Sequence, residues 1–186
     1  MNQILCLSFF LATIMFCTQV QGQTHTNDEL NCAYPVMDKQ MNVKLCLPHD
    51  NFTVEKSTNY FTVVPKNRDS TALMDVFFMV KVDDFKEKLD ANWYRDEQLK
   101  RYRSNAKMEI RTLKKGNQVI DGKEFADVEM VITIADKKMY SRTLFYFEGT
   151  IGYLLDAVGS YADMNEISKS EILSLFQTFK IVGVPN

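Results

Sequence analysis

The sequence predicts an α+β domain, a central antiparallel sheet of about six to seven strands with two main helices packed on it. Three observations carry that reading. Residues Glu124 to Ala135 alternate, placing Val128, Met130, Ile132 and Ile134 on one face, and Met139 to Phe147 alternate again after a short turn. A long stretch before them, Asp83 to Lys107, is rich in Lys, Glu, Asp, Arg and Gln, a helix-favouring composition. A last segment sets Ile172, Leu175, Phe176 and Phe179 at helical spacing. Strands, helix, strands, helix is the order of an α+β fold.

The elements follow in order. Ile4 to Cys17 is an apolar run of about 14 residues, shorter than the roughly 20 that a membrane-spanning helix needs. Val20-Gln21-Gly22-Gln23 follows with modest side chains, the layout of a secretory signal peptide over 1–22 cleaved after Gly22. Its n-region has no Lys or Arg, and Phe16 is too bulky for the residue before a lipidated Cys. Residues 23–42 read as a flexible, mostly polar leader, and 43–186 as a single α+β domain. No stable membrane span is expected once the signal is removed.

Of four cysteines, Cys6 and Cys17 lie in the signal, leaving Cys32 and Cys46 as an even pair in an exported chain. They read as a disulfide tying the leader to the first strand. No His stands at a spacing that would complete a tetrahedral metal site with them.

Val43-Lys44-Leu45-Cys46-Leu47 alternates and stops at Pro48, a strand ending in a turn. Asn59 to Val64 is aromatic and β-branched, a second strand stopping at Pro65. Ala72 to Val82 is the longest early alternation, with Met74, Val76, Phe78, Val80 and Val82 on one face. Its other face is also partly apolar, so the strand belongs in the sheet interior. The polar stretch Asp83 to Lys107 reads as one helix, with a break near Asn92. Met108 to Leu113 is the next strand, closed by a turn at Lys115-Gly116-Asn117. Glu124 to Ala135, Met139 to Phe147 and Ile151 to Val158 complete a meander, with turns at Asp136-Lys137-Lys138 and Glu148-Gly149-Thr150. Ser168 and Glu171 have the spacing of a capping box at the start of the second helix.

Spacing of this kind resembles the PsbP-like and DcrB-like domains. The carriers are Leu45-Cys46-Leu47-Pro48 followed by Phe52, the strand Ala72 to Val82 before a polar helix, and Ile120-Asp121-Gly122-Lys123-Glu124-Phe125. They continue in the hairpin built on Val128 to Phe147, in Gly152-Tyr153-Leu154-Leu155, and in Phe176 and Phe179 of the closing helix. The similarity spans Val43 to Val182. Phe52 stands where the family often has Trp, and the Cys32 and Cys46 pair is not a family mark. The resemblance implies an α/β/α sandwich, and a role as an exported accessory or binding protein without chemistry of its own. It carries no set of catalytic residues.

The residues agree with that bland chemistry. His25 lies in the leader and His49 beside a turn, leaving no His-based catalytic set. The adjacent carboxylates Asp83-Asp84 and Asp96-Glu97 fall in or beside the polar helix, where neighbouring acids normally face water; a hydrolase using them is the remote alternative. Seven glycines form no phosphate-cradling loop, and no cofactor or metal is expected. With 22 basic and 24 acidic side chains interspersed and a net charge of −2, nothing resembles a nucleic-acid footprint.

Lys100, Arg101, Arg103 and Lys107 make a basic patch near the end of the first helix, suited to its dipole. Trp93, Tyr94, Arg95, Tyr102 and Arg103 have the composition of a protein interface. The same set also serves a plainer purpose, with Trp93 and Tyr102 packing on the sheet and Tyr94 outside. Asn51-Phe52-Thr53 is a glycosylation acceptor if the host is eukaryotic. Together these features point to an exported, periplasmic or secreted, non-enzymatic protein that contacts an unknown protein partner through its sheet edge or first helix. A carrier of an apolar small molecule or lipid, held between sheet and helices by the abundant Phe, Tyr and Met, is the alternative from another class.

Overall fold

A computed structural model describes residues 32–66 and 76–183. The expected signal peptide 1–22, the leader as far as Asn31, and Ala72 to Asp75 of the long early strand lie outside the described residues.

Antiparallel pairing of apolar alternations builds a seven-stranded sheet of order β3-β4-β5-β9-β8-β7-β6. Its members are β3 (Phe52–Lys56), β4 (Tyr60–Pro65), β5 (Phe77–Asp84), β6 (Glu109–Ile120), β7 (Lys123–Ile134), β8 (Lys137–Glu148) and β9 (Ile151–Ser160). A second sheet of three strands has the order β1-β2-β10, from β1 (Tyr34–Asp38), β2 (Val43–Leu47) and β10 (Lys180–Ile181). The helices are α1 (Ala91–Ser104) and α2 (Glu166–Gln177). β6 to β9 form the expected meander, and α1 carries the chain from β5 to the far edge at β6.

Residue parity divides the large sheet into two apolar faces. On one, Phe78, Val80, Phe125, Leu144, Leu155 and Ala157 share a core with Val43 and Leu45 of β2 and with Ile172, Leu175 and Phe176 of α2. On the other, Ala126, Val128, Met130 and Phe145 pack with Leu99 of α1. The sheet is therefore apolar on both sides, as the two-faced pattern of the early strand implied.

Several elements differ from expectation. Val43–Leu47 enters the small sheet, and the seventh strand of the large one is β3, which pairs with β4 from Phe52↔Pro65 to Lys56↔Phe61. Tyr34–Asp38, within the expected leader, forms β1 against β2. The Asp38 carboxylate stabilises the turn that follows by accepting from Gln40 N at 3.0 Å and Met41 N at 3.1 Å. The first helix is shorter than Asp83 to Lys107, because Asp83 and Asp84 still pair with β9 and Asp90 is the N-cap. Gly116 is no turn: β6 runs through it, paired with Asp127, and a register shift between Thr112 and Lys114 absorbs one extra residue.

Two of the hairpin turns have two-residue loops with positive φ at both positions, Asp121-Gly122 (49° and 71°) and Ala135-Asp136 (47° and 68°). The latter stands in place of the expected Asp136-Lys137-Lys138 because Lys137 already pairs with Ile134, while the expected turn at Glu148-Gly149-Thr150 forms with Gly149 at 65°. At α2 the cap is Asn165, whose Oδ1 accepts from Ser168 N at 2.9 Å, while Ser168 itself is fully buried in the first turn.

Candidate functional site

Helix α1 carries the residues singled out as an interface, and its anchoring decides which of them face water. Asp90 Oδ1 accepts from Trp93 N at 2.8 Å, which fixes the first turn. Tyr94 then points into an aromatic cluster, with ring centroids 5.5 Å from Phe85, 5.6 Å from Phe145 and 5.3 Å from Phe147. Gly152 makes room for that cluster: a Cβ there would meet Phe85 at 2.6 Å and Phe147 at 2.7 Å. Arg95 is buried, its Nη1 donating to Gly116 O at 2.8 Å and its Nε to Asp96 Oδ1 at 3.0 Å. Asp96 also pairs with Lys115 at 2.8 Å, tying the helix to β6. Tyr102 is half-buried on the same apolar patch as Leu99, where burial and then the nearby Asp156 push its hydroxyl pKa up.

Trp93 is the one that projects, 54% exposed. This reverses the plainer expectation for the two neighbours, since Tyr94 packs and Trp93 does not. Trp93, Glu97, Lys100 and Ser104 recur at helical spacing along one stripe, and Glu97 and Lys100 form an ion pair on it. Arg103 lies to the side, donating to Thr112 Oγ1 at 2.9 Å. Arg101 and Arg103 stand in the last turn, as the dipole favours. The interface set is thus divided: Trp93 and Arg103 reach solvent, Tyr102 is half-buried, and Tyr94 and Arg95 hold the helix in place.

The adjacent carboxylates do not act as pairs. Asp83 and Asp84 are consecutive in a strand and so point to opposite faces. Asp83 is bound by Lys81 at 2.7 Å and Asn59 Nδ2 at 2.8 Å, and Asp84 by Thr150 Oγ1 at 2.9 Å. Asp96 and Glu97 are each matched to a cation, as described. His49 is stacked on Phe52 with centroids 4.8 Å apart, and its Nδ1 accepts from the backbone N–H of Asn51. Among the described residues no group of three or more His, Cys, Asp or Glu is placed to hold a metal ion.

Two buried polar clusters were not singled out by the sequence. On the α2 side, Arg142 donates to Asp127 through Nε at 3.2 Å and Nη2 at 2.7 Å, with Glu129 3.8 Å from Nη1. Tyr140 beside them is wholly buried, and burial together with the Glu129 charge pushes its pKa far up. On the α1 side, Asp156 accepts from Thr143 Oγ1 at 2.8 Å and Ser141 Oγ at 3.2 Å. Burial raises its carboxyl pKa, against the opposing effect of those hydroxyls. A lone acid inside Leu154-Leu155-Asp156-Ala157-Val158 was the visible signal for that cluster.

Cys32 and Cys46 are disulfide-bonded to each other. Asn51 is exposed in the turn between β2 and β3, where an attached glycan would meet water. No helix among the described residues is long and apolar enough to cross a membrane.

No family model and no curated protein matches the sequence. Solved structures do match the fold. A solution structure of the cyanobacterial PsbP (CyanoP) of Synechocystis sp. PCC 6803 aligns with a TM-score of 0.57 at 10% identity, covering 86% of this chain and 99% of that one. The Ran-binding protein Mog1p of Saccharomyces cerevisiae aligns with a TM-score of 0.55 at 13% identity, covering 80% and 94%. LpqN of Mycobacterium tuberculosis, described as involved in cell envelope biogenesis, gives 0.56 at 10% identity, covering 80% and 90%. At such identities the likeness concerns the fold alone. By its structural neighbours, the chain has the fold of the PsbP-like domains, the resemblance that its spaced apolar and glycine positions carry.

Proposed function

We propose that this is an exported, non-enzymatic accessory protein that binds a protein partner through the outer stripe of α1. The observation that carries the proposal is Trp93. A tryptophan leaving 54% of its surface in water, on a helix whose neighbouring side chains are locked, is a pre-ordered anchor of the kind that dominates interfaces. Arg101 and Arg103 nearby add donors suited to an acidic rim on the partner. That Mog1p is named as Ran-binding, and that LpqN is described by its part in cell envelope biogenesis, supports a binding role for this fold.

Export rests on the signal-like segment 1–22 and on the disulfide, a bond that persists in oxidising compartments. The same reading takes the helices as the outer layers of an α/β/α sandwich, supported by Leu99 and Phe176 sharing cores with strand residues of opposite parity.

The test is cross-linking in the native source followed by affinity capture, comparing the natural chain with Trp93→Ala. Capture of one defined partner, weakened about tenfold or more by the substitution with the circular dichroism spectrum unchanged, is the expected result. A chain that stays alone and monomeric, or a partner retained equally by Trp93→Ala, overturns the proposal. N-terminal sequencing of the mature protein should begin at Gln23; a product still starting at Met1 removes the export half of the reading.

A further inference from the structure

Strand β6 is an outer edge of the large sheet: among the described residues it pairs with β7 alone over Glu109–Ile120. Its other side has no strand beside it, and such an edge is a template for another extended chain.

Charge gathers around this edge. Lys100 to Lys115 holds seven cations and one carboxylate, in a chain whose net charge is −2. Helix α1 is tied along β6, with Arg103 Nη2 donating to Thr112 Oγ1 at 2.9 Å and Lys115 Nζ 2.8 Å from Asp96. Those two cations line the α1 side of the edge. Arg111 and Lys114 line the opposite side. In the register they stand beside Val131 and Glu129, and their rows run on to Tyr140 and to Ala157 of the α2-side core. Arg103, Arg111 and Lys114 are exposed, and among the described residues none meets a carboxylate at salt-bridge distance. Leu113 and Val119, 38% and 61% exposed, add apolar contact points along the same strand.

An extended peptide sends successive side chains to opposite faces. Laid beside β6, it meets Arg103 and Lys115 with one set of side chains and Arg111 and Lys114 with the other. A flat anionic surface reaches only one of those pairs at a time. Two copies of this chain meeting edge to edge would set cation against cation, which keeps the edge open for a strand of opposite charge. We propose that β6 takes up an acidic, extended segment of a protein partner as an added strand. Backbone pairing supplies the affinity, and carboxylates on both faces of the segment supply the selectivity. The inference rests on the reading of this chain as a binding protein, and it names the chemistry of the partner at a surface distinct from Trp93.

The experiment is calorimetric titration of the mature protein, at physiological salt, with an eight-residue peptide made of Glu-Glu-Val-Val repeated twice. Beside it runs the same peptide methylated on alternate backbone nitrogens, which keeps every charge and cannot pair as a strand. Expected are saturable binding of one unmethylated peptide per chain, no measurable binding of the methylated one, and affinity about tenfold lower in R103E/K114E. Both side chains are exposed, so that variant should keep its fold, which its thermal midpoint checks. Amide shifts should move, and hydrogen exchange should slow, within Glu109–Ile120. The proposal falls if the peptide shows no saturable binding, if R103E/K114E binds it as tightly, or if the shifts centre elsewhere. It also falls if the methylated peptide binds equally well, since the edge then attracts any polyanion by charge alone. The probe is not the native partner, so its failure leaves the capture test with Trp93→Ala standing, and the reverse holds too.

Discussion

Asp156 shows how one residue can be plain in the sequence while its energetics are not. Its place in an apolar strand is read directly; its hydroxyl partners Thr143 and Ser141 come from the neighbouring strand and depend on register. Burial raises its pKa above the ordinary carboxylate value of about 3.9, so the folded chain holds the proton more tightly than the unfolded one. Stability from this group is therefore full at low pH and declines as pH climbs through the folded pKa. Asp156→Asn does not ionise, so its stability relative to the natural protein should improve as the pH rises above the ordinary carboxylate range and level off once the folded carboxyl has ionised. Urea unfolding at a series of pH values checks it, and a difference that does not vary with pH refutes it. Trp93 and Tyr94 teach a similar lesson. Successive helical residues point about 100° apart, and only the position of Phe85, Phe145 and Phe147 decides which of the two is enclosed.

At the scale of elements, strong alternation was legible and boundaries were not. β7, β8 and β9 stand where their period of two puts them, because each has a covered face along most of its length. The short strands β1, β3 and β10 were missed: each has a neighbour distant in sequence or only a few residues of pattern, and their pairing comes from tertiary contact. Gly116 was read as a turn since glycine punctuates chains, yet a continuous β7 partner kept it extended. The cap of α2 was misplaced by three residues, as Asn165 and Ser168 are both good capping types and burial of Ser168 settles the choice. Asn165→Ala should accordingly cost about 1 kcal/mol of unfolding free energy. A thermal or denaturant midpoint unchanged by that substitution would contradict the assignment.

For the whole molecule, the α+β class and the size of the large sheet were readable, and so was the pairing of Cys32 with Cys46. The small sheet was not, since it joins segments from opposite ends of the sequence. The disulfide closes a loop of about 15 residues across β1, and in the chain-entropy model that is worth about 3 kcal/mol. Reduction should lower the unfolding free energy by about that amount, and thiol titration of the denatured, unreduced mature chain should find no free sulfhydryl. Two reactive thiols before reduction would contradict the bond.

The meeting of β10 with β2 has a consequence for the making of the protein. Val43 pairs with Ile181, and Thr178 Oγ1 both donates to Cys46 O and accepts from Cys46 N, each at 3.0 Å. Synthesis proceeds from the amino end, so β2 waits for its last neighbour until residues 180–181 have emerged from the ribosome. Long-separation contacts of this sort form slowly. The small sheet therefore closes only after residues 180–181 have been made, whereas the strands of the large sheet can pair without them.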